Sequence, residues 1–200
     1  MIEAARYRVI ETLGDGRQVV IRAQRQDDRP GFRAALKRAS AETLYHRFFA
    51  AKHDFTDEEV AHYFDIDFVN HVALLAEVEE QGRPTLIGGG RYIVTEPGRA
   101  EVAFSLIDEY QGLGIGTMLL RHLADLARRA GLREFFAEVL TDNAAMLRVF
   151  EHSGLVTRER REGTIVEVTM SLAKQSVRTN GQAAPTPPTE SPTGAGAAWT

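Results

Sequence analysis

The sequence predicts a single mixed α/β domain with a largely antiparallel sheet and helices on both faces. Three observations carry that expectation. A β-rich run, Glu101-Val102-Ala103-Phe104-Ser105-Leu106-Ile107, leads into a glycine loop, Gln111-Gly112-Leu113-Gly114-Ile115-Gly116, and on into an apolar-faced helix that ends near Ala130. Other β-rich runs are separated by Gly, Pro and Asp turn signals, the pattern of strands joined by short connections. Helical segments between them open on residues suited to capping. A length of 200 residues fits one domain with a real core plus a tail.

The elements follow in chain order. Arg6 to Leu13 alternates, Gly14-Asp15-Gly16 makes a turn, and Gln18-Val19-Val20-Ile21-Arg22-Ala23 is a second β-rich run. Asp-Gly favours the positive φ of tight hairpins, so these two runs read as a β-hairpin. Asp27 and Asp28 are placed to cap a helix from Pro30 to Ala39, with proline tolerated in the first turn. Ser40 starts a helix from Ala41 to Phe49, and Thr56 with Glu59 forms a capping box for one ending near Phe64. His71 to Val78 and Leu86 to Val94 read as buried strands, and Glu96-Pro97-Gly98 turns the chain into the run at Glu101. After the glycine loop, Leu119, Leu120, Leu123, Leu126 and Ala127 mark one helix face, and Gly131 ends it. Phe135 to Leu140 is a strand, Asp142 is placed to cap the next helix, and residues 155–172 form a closing hairpin. The domain is expected to span 17–173, preceded by the first hairpin strand in 1–16. From 174 to 200, Pro, Thr, Ala, Gly, Gln and Ser dominate; such a tail cannot bury enough apolar surface to order itself.

Composition narrows the function. Lys and Arg number 24 against 28 Asp and Glu, a net charge of −4, which disfavours nucleic acid as a bulk partner and suits a cationic acceptor such as a lysine or a polyamine. The absence of cysteine excludes disulfides, thiolate metal sites and a cysteine nucleophile. The six histidines show no metal-binding spacing, so no metal is expected. The N-terminus does not read as a signal peptide, and no stretch has the roughly 20 apolar residues of a membrane span. A cytoplasmic location is the default.

The glycine loop is the most informative feature. Glycines at every second position leave backbone N–H groups uncovered where a helix begins, and the first amides of a helix have no internal partner. Such a corner binds anions, and a pyrophosphate fits it. By contrast, Gly88-Gly89-Gly90 is read as a bulge or a close backbone approach. Arg121, Arg128 and Arg148 are read as a solvated helix face rather than phosphate ligands. Tyr45, Arg47, Phe48 and Phe49 line an acceptor site or, for the two phenylalanines, pack in the core.

The pattern Gln111-Gly112-Leu113-Gly114-Ile115-Gly116, within strand, loop and helix, resembles the acetyl-CoA loop of the GNAT superfamily of N-acetyltransferases. Asn143-Ala144-Ala145-Met146 to Ser153-Gly154-Leu155 resembles that family's second motif, with Leu155 in place of the usual Phe. The likeness spans residues 17–172. Gly14-Asp15-Gly16 before Val20-Ile21-Arg22, the stretch Ser40 to Phe49, and Ala100 to Phe104 further resemble the catalytic domain of bacterial Pat-type protein lysine acetyltransferases.

That resemblance implies a GNAT-like domain using acetyl-CoA as cosubstrate, with protein lysines as acceptors, such as those of acyl-CoA-forming enzymes. It places the cofactor on Leu106, Ile107, Gln111, Gly112, Leu113, Gly114, Ile115, Gly116 and Thr117, with an amide of Leu106 or Ile107 as oxyanion donor and Asn143 either contacting the cofactor arm or only capping its helix. Glu101 matches the Pat-type catalytic glutamate. On an ideal strand it shares a face with Ala103 and Ser105, while Val102, Phe104 and Leu106 face the other way. Partial burial would make it a better base. A strand-end glutamate paired with a cross-strand arginine is the alternative reading, and Glu138 is the second candidate base. Phe150 stands where many members carry a proton-donating Tyr. A small-molecule amine acetyltransferase and a non-catalytic acyl-CoA-binding module are the competing functions.

Overall fold

The computed structural model describes residues 2–51 and 55–173; the expectation for 174–200 lies outside the described residues. Turn chemistry sets the first pairing. Leu13 and Arg17 close the loop through a 2.8 Å backbone bond, with Gly16 at φ 86°, and this joins β1 (Arg8–Thr12) to β2 (Gln18–Ala23). Then come three helices, α2 (Arg29–Arg38), α3 (Ala41–Phe48) and α4 (Asp57–Tyr63), preceded at the chain start by the short α1 (Ile2–Ala5). The strands β3 (His71–Glu80), β4 (Arg83–Glu96) and β5 (Arg99–Leu106) form a meander. Helix α5 (Ile115–Arg129), β6 (Glu134–Leu140), α6 (Ala144–Glu151) and the hairpin β7 (Val156–Glu162) and β8 (Ile165–Ser171) complete the chain.

The strands form one eight-stranded sheet in the order β1-β2-β3-β4-β5-β6-β8-β7. Every neighbouring pair is antiparallel except β5 and β6. That parallel pair requires a crossover, and α5 provides it. The leucine face expected of this helix is buried: Leu119, Leu120, Leu123 and Ala127 are fully enclosed and Leu126 nearly so. They pack on Val72, Leu74, Tyr92, Val102 and Phe104 from one side of the sheet. Helices α2 and α3 lie against β4 and β5 on the opposite face, where Leu75, Gly89, Arg91, Ala103 and Ser105 point. The mixed sheet with helices on both faces is therefore the observed architecture.

Three local expectations change. Asp28 sits at the cap position of α2 without capping it. Its carboxylate instead takes a forked, charge-assisted pair of bonds from Arg22 at 2.7 and 2.8 Å and a bond from the Arg25 amide at 2.7 Å. Asn143, not Asp142, caps α6, accepting from the Met146 amide at 3.0 Å. Phe49 is 41% exposed; it is the left-handed C-cap of α3 at φ 54°, which swings its ring out of the core.

The Gly88 to Gly90 run is a bulge with close approaches. The β3–β4 register shifts there, leaving Ile87 without an opposite residue. A Cβ on Gly88 would lie 2.2 Å from the Ser105 carbonyl oxygen, one on Gly89 2.5 Å from that of Leu74, and one on Gly90 2.5 Å from the Phe104 ring.

Two histidines make stability pH-dependent. Burial pushes His71 below its ordinary 6.5, and the neighbouring Arg91 charge adds to the effect. Burial also lowers His122, whose Nδ1 shares a 2.6 Å hydrogen bond with the Tyr7 hydroxyl. Glu11 lies 2.9 Å from its other ring nitrogen but off the hydrogen-bonding axis. Because both folded-state values lie below the unfolded one, the unfolded chain takes up protons first as pH falls. The stability these neutral rings contribute is complete above about pH 6.5 and is lost as pH falls below it. Thermal unfolding followed across pH 7.5 to 5 is expected to show a falling midpoint, and a His71→Gln/His122→Gln double variant a shallower fall.

Candidate active site

The site begins where two strands part. β5 and β6 pair at only three positions, the last being Glu101 with Phe136. Beyond it they diverge, and the residues after Glu101 on β5 form one wall of a groove whose other wall carries Ala137, Glu138 and Val139. The groove has a volume of about 650 Å³, within the range of cofactor sites. The N-terminus of α5 forms its floor, α6 one flank and α3 the rim.

The glycine loop is built for an anion. Gly112 and Gly114 have φ of 74° and 82°, and nothing lies within 4 Å of where their side chains would project. Helix α5 starts at Ile115, two residues before the expected Thr117. It has no side-chain cap and no acidic residue in its first turn, so its leading amides face the groove without an internal competitor. Gly116 has a different role. It is buried within the helix, and a Cβ there would press within 3.1 Å of Val149 on α6.

Gln111 and Asp108 brace this loop. The Gln111 amide donates to the Leu106 carbonyl at 3.1 Å and to the Thr43 hydroxyl at 2.9 Å. Asp108 accepts from the Ser40 amide and hydroxyl and from the Thr43 hydroxyl at 2.7 to 3.1 Å. Burial would raise its carboxyl, but these donors more than offset it and hold it below the usual value. The loop is thereby tied to the start of α3. Asp108→Asn is expected to cost about 1–2 kcal/mol, lowering the midpoint by roughly 2–8 °C and raising KM for the groove's ligand. Calorimetry and steady-state kinetics check this.

Of the expected cofactor positions, Leu106, Gln111, Gly112, Gly114, Ile115, Gly116, Thr117 and Asn143 line the groove. Two do not. The Ile107 side chain is buried and its amide already donates to the Ile87 carbonyl at 2.9 Å. Leu113 packs against the core. Asn143 has its side-chain oxygen committed to the cap of α6. Arg121 pairs with Glu11 and Arg128 with Asp125, away from the groove, whereas Arg148 lines it. Phe150 is buried with its ring against Phe104.

Glu101 lies on the groove wall with its side chain exposed rather than partly buried. No salt bridge to it is found among the described residues, so it is not the cross-strand ion pair of the alternative reading. Ala103 and Ser105 share its face, as expected. Glu138 is also exposed on the groove, on the opposite wall. Among the described residues no group of three or more His, Asp or Glu is placed to hold a metal.

A second, smaller cavity of about 60 Å³ opens on the same face and shares Arg47, Ala103, Phe104 and Ser105 with the groove. Phe48, edge-to-face with Phe55 and Tyr63, and Arg91 also line it. Arg91 escaped the sequence reading as a site residue; on a strand its only local mark is that it follows three glycines.

The comparisons agree with this geometry. The model of the acetyltransferase (GNAT) family matches residues 38–155. Acetyltransferase PA5475 of Pseudomonas aeruginosa is 37% identical over 138 residues, covering 68% of this chain and 74% of that protein. Acetyltransferase Pat of Mycolicibacterium smegmatis is 34% identical over 119 residues, 58% of this chain; the match spans only 35% of that longer protein. The GNAT domain of Streptomyces lividans PAT superposes with a TM-score of 0.74 at 31% identity, over 82% of this chain and 96% of that domain. A parted pair of strands, an uncapped glycine-led helix and these matches together establish that the chain belongs to the GNAT family of acetyltransferases.

Proposed function

We propose that this enzyme transfers the acetyl group of acetyl-CoA to lysine side chains of proteins, with Glu101 as general base. The observation that carries the reading is the position of Glu101: exposed, unpaired among the described residues, and on the groove wall at the point where β5 leaves β6. An open carboxylate can be reached by a side chain presented on a large acceptor. The resemblance to Pat-type enzymes, supported by the 34% identity to the M. smegmatis Pat, favours protein lysine over a free amine.

The residues fit that chemistry. A lysine of pKa near 10.4 must lose a proton before attack, which at pH 7 costs roughly 4–5 kcal/mol. Glu101 accepts that proton, directly or through water. The amides at Gly112, Gly114 and the start of α5 would hold the pyrophosphate of acetyl-CoA. The thioester supplies the acetyl group. Backbone direction selects the oxyanion donor: amides alternate sides along a strand, and Ile107 points its amide to β4. The Leu106 amide therefore turns to the open edge, where it would donate to the developing oxyanion. Phe150 has no proton to give, so the leaving thiol, of pKa about 8.5, departs as a thiolate.

Polyamine acetylation is the competing activity. A spermidine N-acetyltransferase from Vibrio cholerae shares the fold, with a TM-score of 0.60 at 16% identity. The uncompensated cations Arg47 and Arg91 beside the groove argue against so cationic an acceptor. The test is acetyl transfer from labelled acetyl-CoA to purified acyl-CoA-forming enzymes and to spermidine. Protein labelling with mass-spectrometric assignment to lysine is expected; labelling of spermidine alone would overturn the protein reading. Gly114→Val is expected to raise KM for acetyl-CoA at least tenfold, because a branched side chain strains a left-handed position and projects into the space in front of the loop amides.

A further inference from the structure

We infer that the small cavity beside Glu101 is an anion-recognition site, and that the preferred acceptor carries a carboxylate close to the amine to be acetylated. The inference rests on the acetyltransferase reading above and specifies the acceptor of that same site.

The argument starts from how this chain buries arginine elsewhere. Arg22 is buried in the ordinary way: Asp28 and Glu77 both bond it, at 2.7 to 3.1 Å, and they hold its charge firmly in place. Arg47 and Arg91 have no such partners. No carboxylate among the described residues forms a salt bridge with either. Burial lowers Arg47, and Tyr63 and then Glu101 oppose it. Burial, with the like charge of Arg47, pushes Arg91 down to about 9. Both still carry a positive charge at neutral pH. Two half-buried like charges without a salt-bridge partner are unfavourable, and the cavity they line is where a counter-charge fits.

The surroundings hold Arg91 in a ready geometry. It stands on β4 between Ala73 of β3 and Ala103 of β5, so small side chains leave the space beside it open. Its guanidinium stacks on the Tyr63 ring at 4.3 Å. His71 directs one ring nitrogen to the Asp65 carbonyl at 2.7 Å, which fixes that nitrogen as the donor and leaves the other to accept from Arg91 at 3.4 Å. A cavity of about 60 Å³ admits a carboxylate and the few atoms that bear it, not a second large side chain.

Register then places the anion relative to the chemistry. Ala103 pairs with Arg91 and Glu101 with Ile93, so Arg91 and Glu101 are diagonal neighbours on one sheet face, about 7–8 Å apart at their backbones. An acceptor whose amine meets Glu101 can set a nearby carboxylate on Arg91 and Arg47. That carboxylate has two sources, an acidic side chain flanking the lysine of a protein or the α-carboxylate of a free amino acid.

The experiment separates binding from turnover. Calorimetric titration of the full chain with N-acetylglycine and with its neutral counterpart N-acetylglycinamide is expected to favour the former roughly ten- to a hundredfold, the range of a charge-assisted hydrogen bond. Arg91→Gln should erase that preference, and Arg91→Lys should restore part of it, since the charge remains without the fork. Arg91→Gln should also unfold at an equal or higher temperature than the wild type, because an uncompensated charge is removed; a purely structural arginine would give the opposite. Transfer is then compared for a lysine peptide flanked by Glu or by Gln, and for lysine against lysinamide. A lower KM for the carboxylate member of the peptide pair assigns the protein source, and of the free pair the amino-acid source. Equal binding of the two titrants, or binding of neither, overturns the inference. Transfer to the neutral acceptors would then still uphold the enzyme reading, whereas a carboxylate preference in titration with no transfer to any acceptor would overturn the enzyme reading alone.

Discussion

Glu101→Gln is expected to lower kcat by about 10²–10⁴-fold, the usual contribution of a positioned general base, with KM for acetyl-CoA nearly unchanged. The substitution keeps the shape and removes only the ability to take the proton. Because the side chain is exposed and forms no salt bridge among the described residues, no partner is orphaned and the fold should be unaffected. That separates loss of chemistry from loss of structure, which a thermal melt of the variant confirms. Glu138 faces the same groove from β6, so Glu138→Gln is the matched control and should retain most of its activity. If the Glu101 variant turns over at the wild-type rate while binding acetyl-CoA normally, the base is elsewhere. If Glu138→Gln shows the large loss instead, the proton leaves toward the opposite wall.

Gly88→Val is expected to destabilise the protein by more than about 4 kcal/mol, most of the stability of a domain at the lower end of the ordinary range. A Cβ at this position lies 2.2 Å from the Ser105 carbonyl oxygen and 2.8 Å from the Leu106 Cα. Those atoms are backbone, so relief requires β5 to move away from β4. The backbone is also at φ +151°, a conformation that L side chains rarely adopt. The affected pairing, Gly88 with Leu106 and Gly89 with Ser105, is the one that presents the end of β5 to the groove. Gly82→Ala is the control: it too has a positive φ, of 75°, but open space around it, so only the conformational penalty of about 1–2 kcal/mol applies. Denaturant unfolding of the two variants should differ accordingly, and comparable stabilities would show that the bulge tolerates a side chain.

How legible the molecule was depended on how local each feature is. The glycine loop and the buried face of α5 were readable because a few adjacent residues specify them. So were the caps at Ser40 and Thr56, which accept from Thr43 and Glu59 as their spacing implies. The caps at Asp28 and Asp142 differ from the expectation because a nearby residue competes in each case. Arg22 claimed Asp28, and Asn143 stood one residue closer to the start of α6. The sequence leaves Phe49 between the core and an acceptor site; the left-handed turn that ends α3 takes it out of the core and onto the groove. Ile107 fell outside the usable donors because the sheet register, not its neighbours in sequence, commits its amide to Ile87.

By itself, then, the sequence determined the order of the elements, the anion-binding corner at Gly112 to Gly116 and the family to which these residues point. Period, turn and cap are properties of short stretches, and short stretches carry them whatever the rest of the chain does. The tertiary structure alone decided that β5 and β6 part immediately after Glu101, that Glu101 stays open to solvent, and that Arg47 of α3 and Arg91 of β4 meet in one cavity without a carboxylate between them. Each of these follows from strand register and helix docking, where a one-residue shift would turn every side chain to the other face. The glycine loop marks where the acetyl donor is held; the arrangement of charge around Glu101, assembled from distant segments, determines which acceptor can reach it.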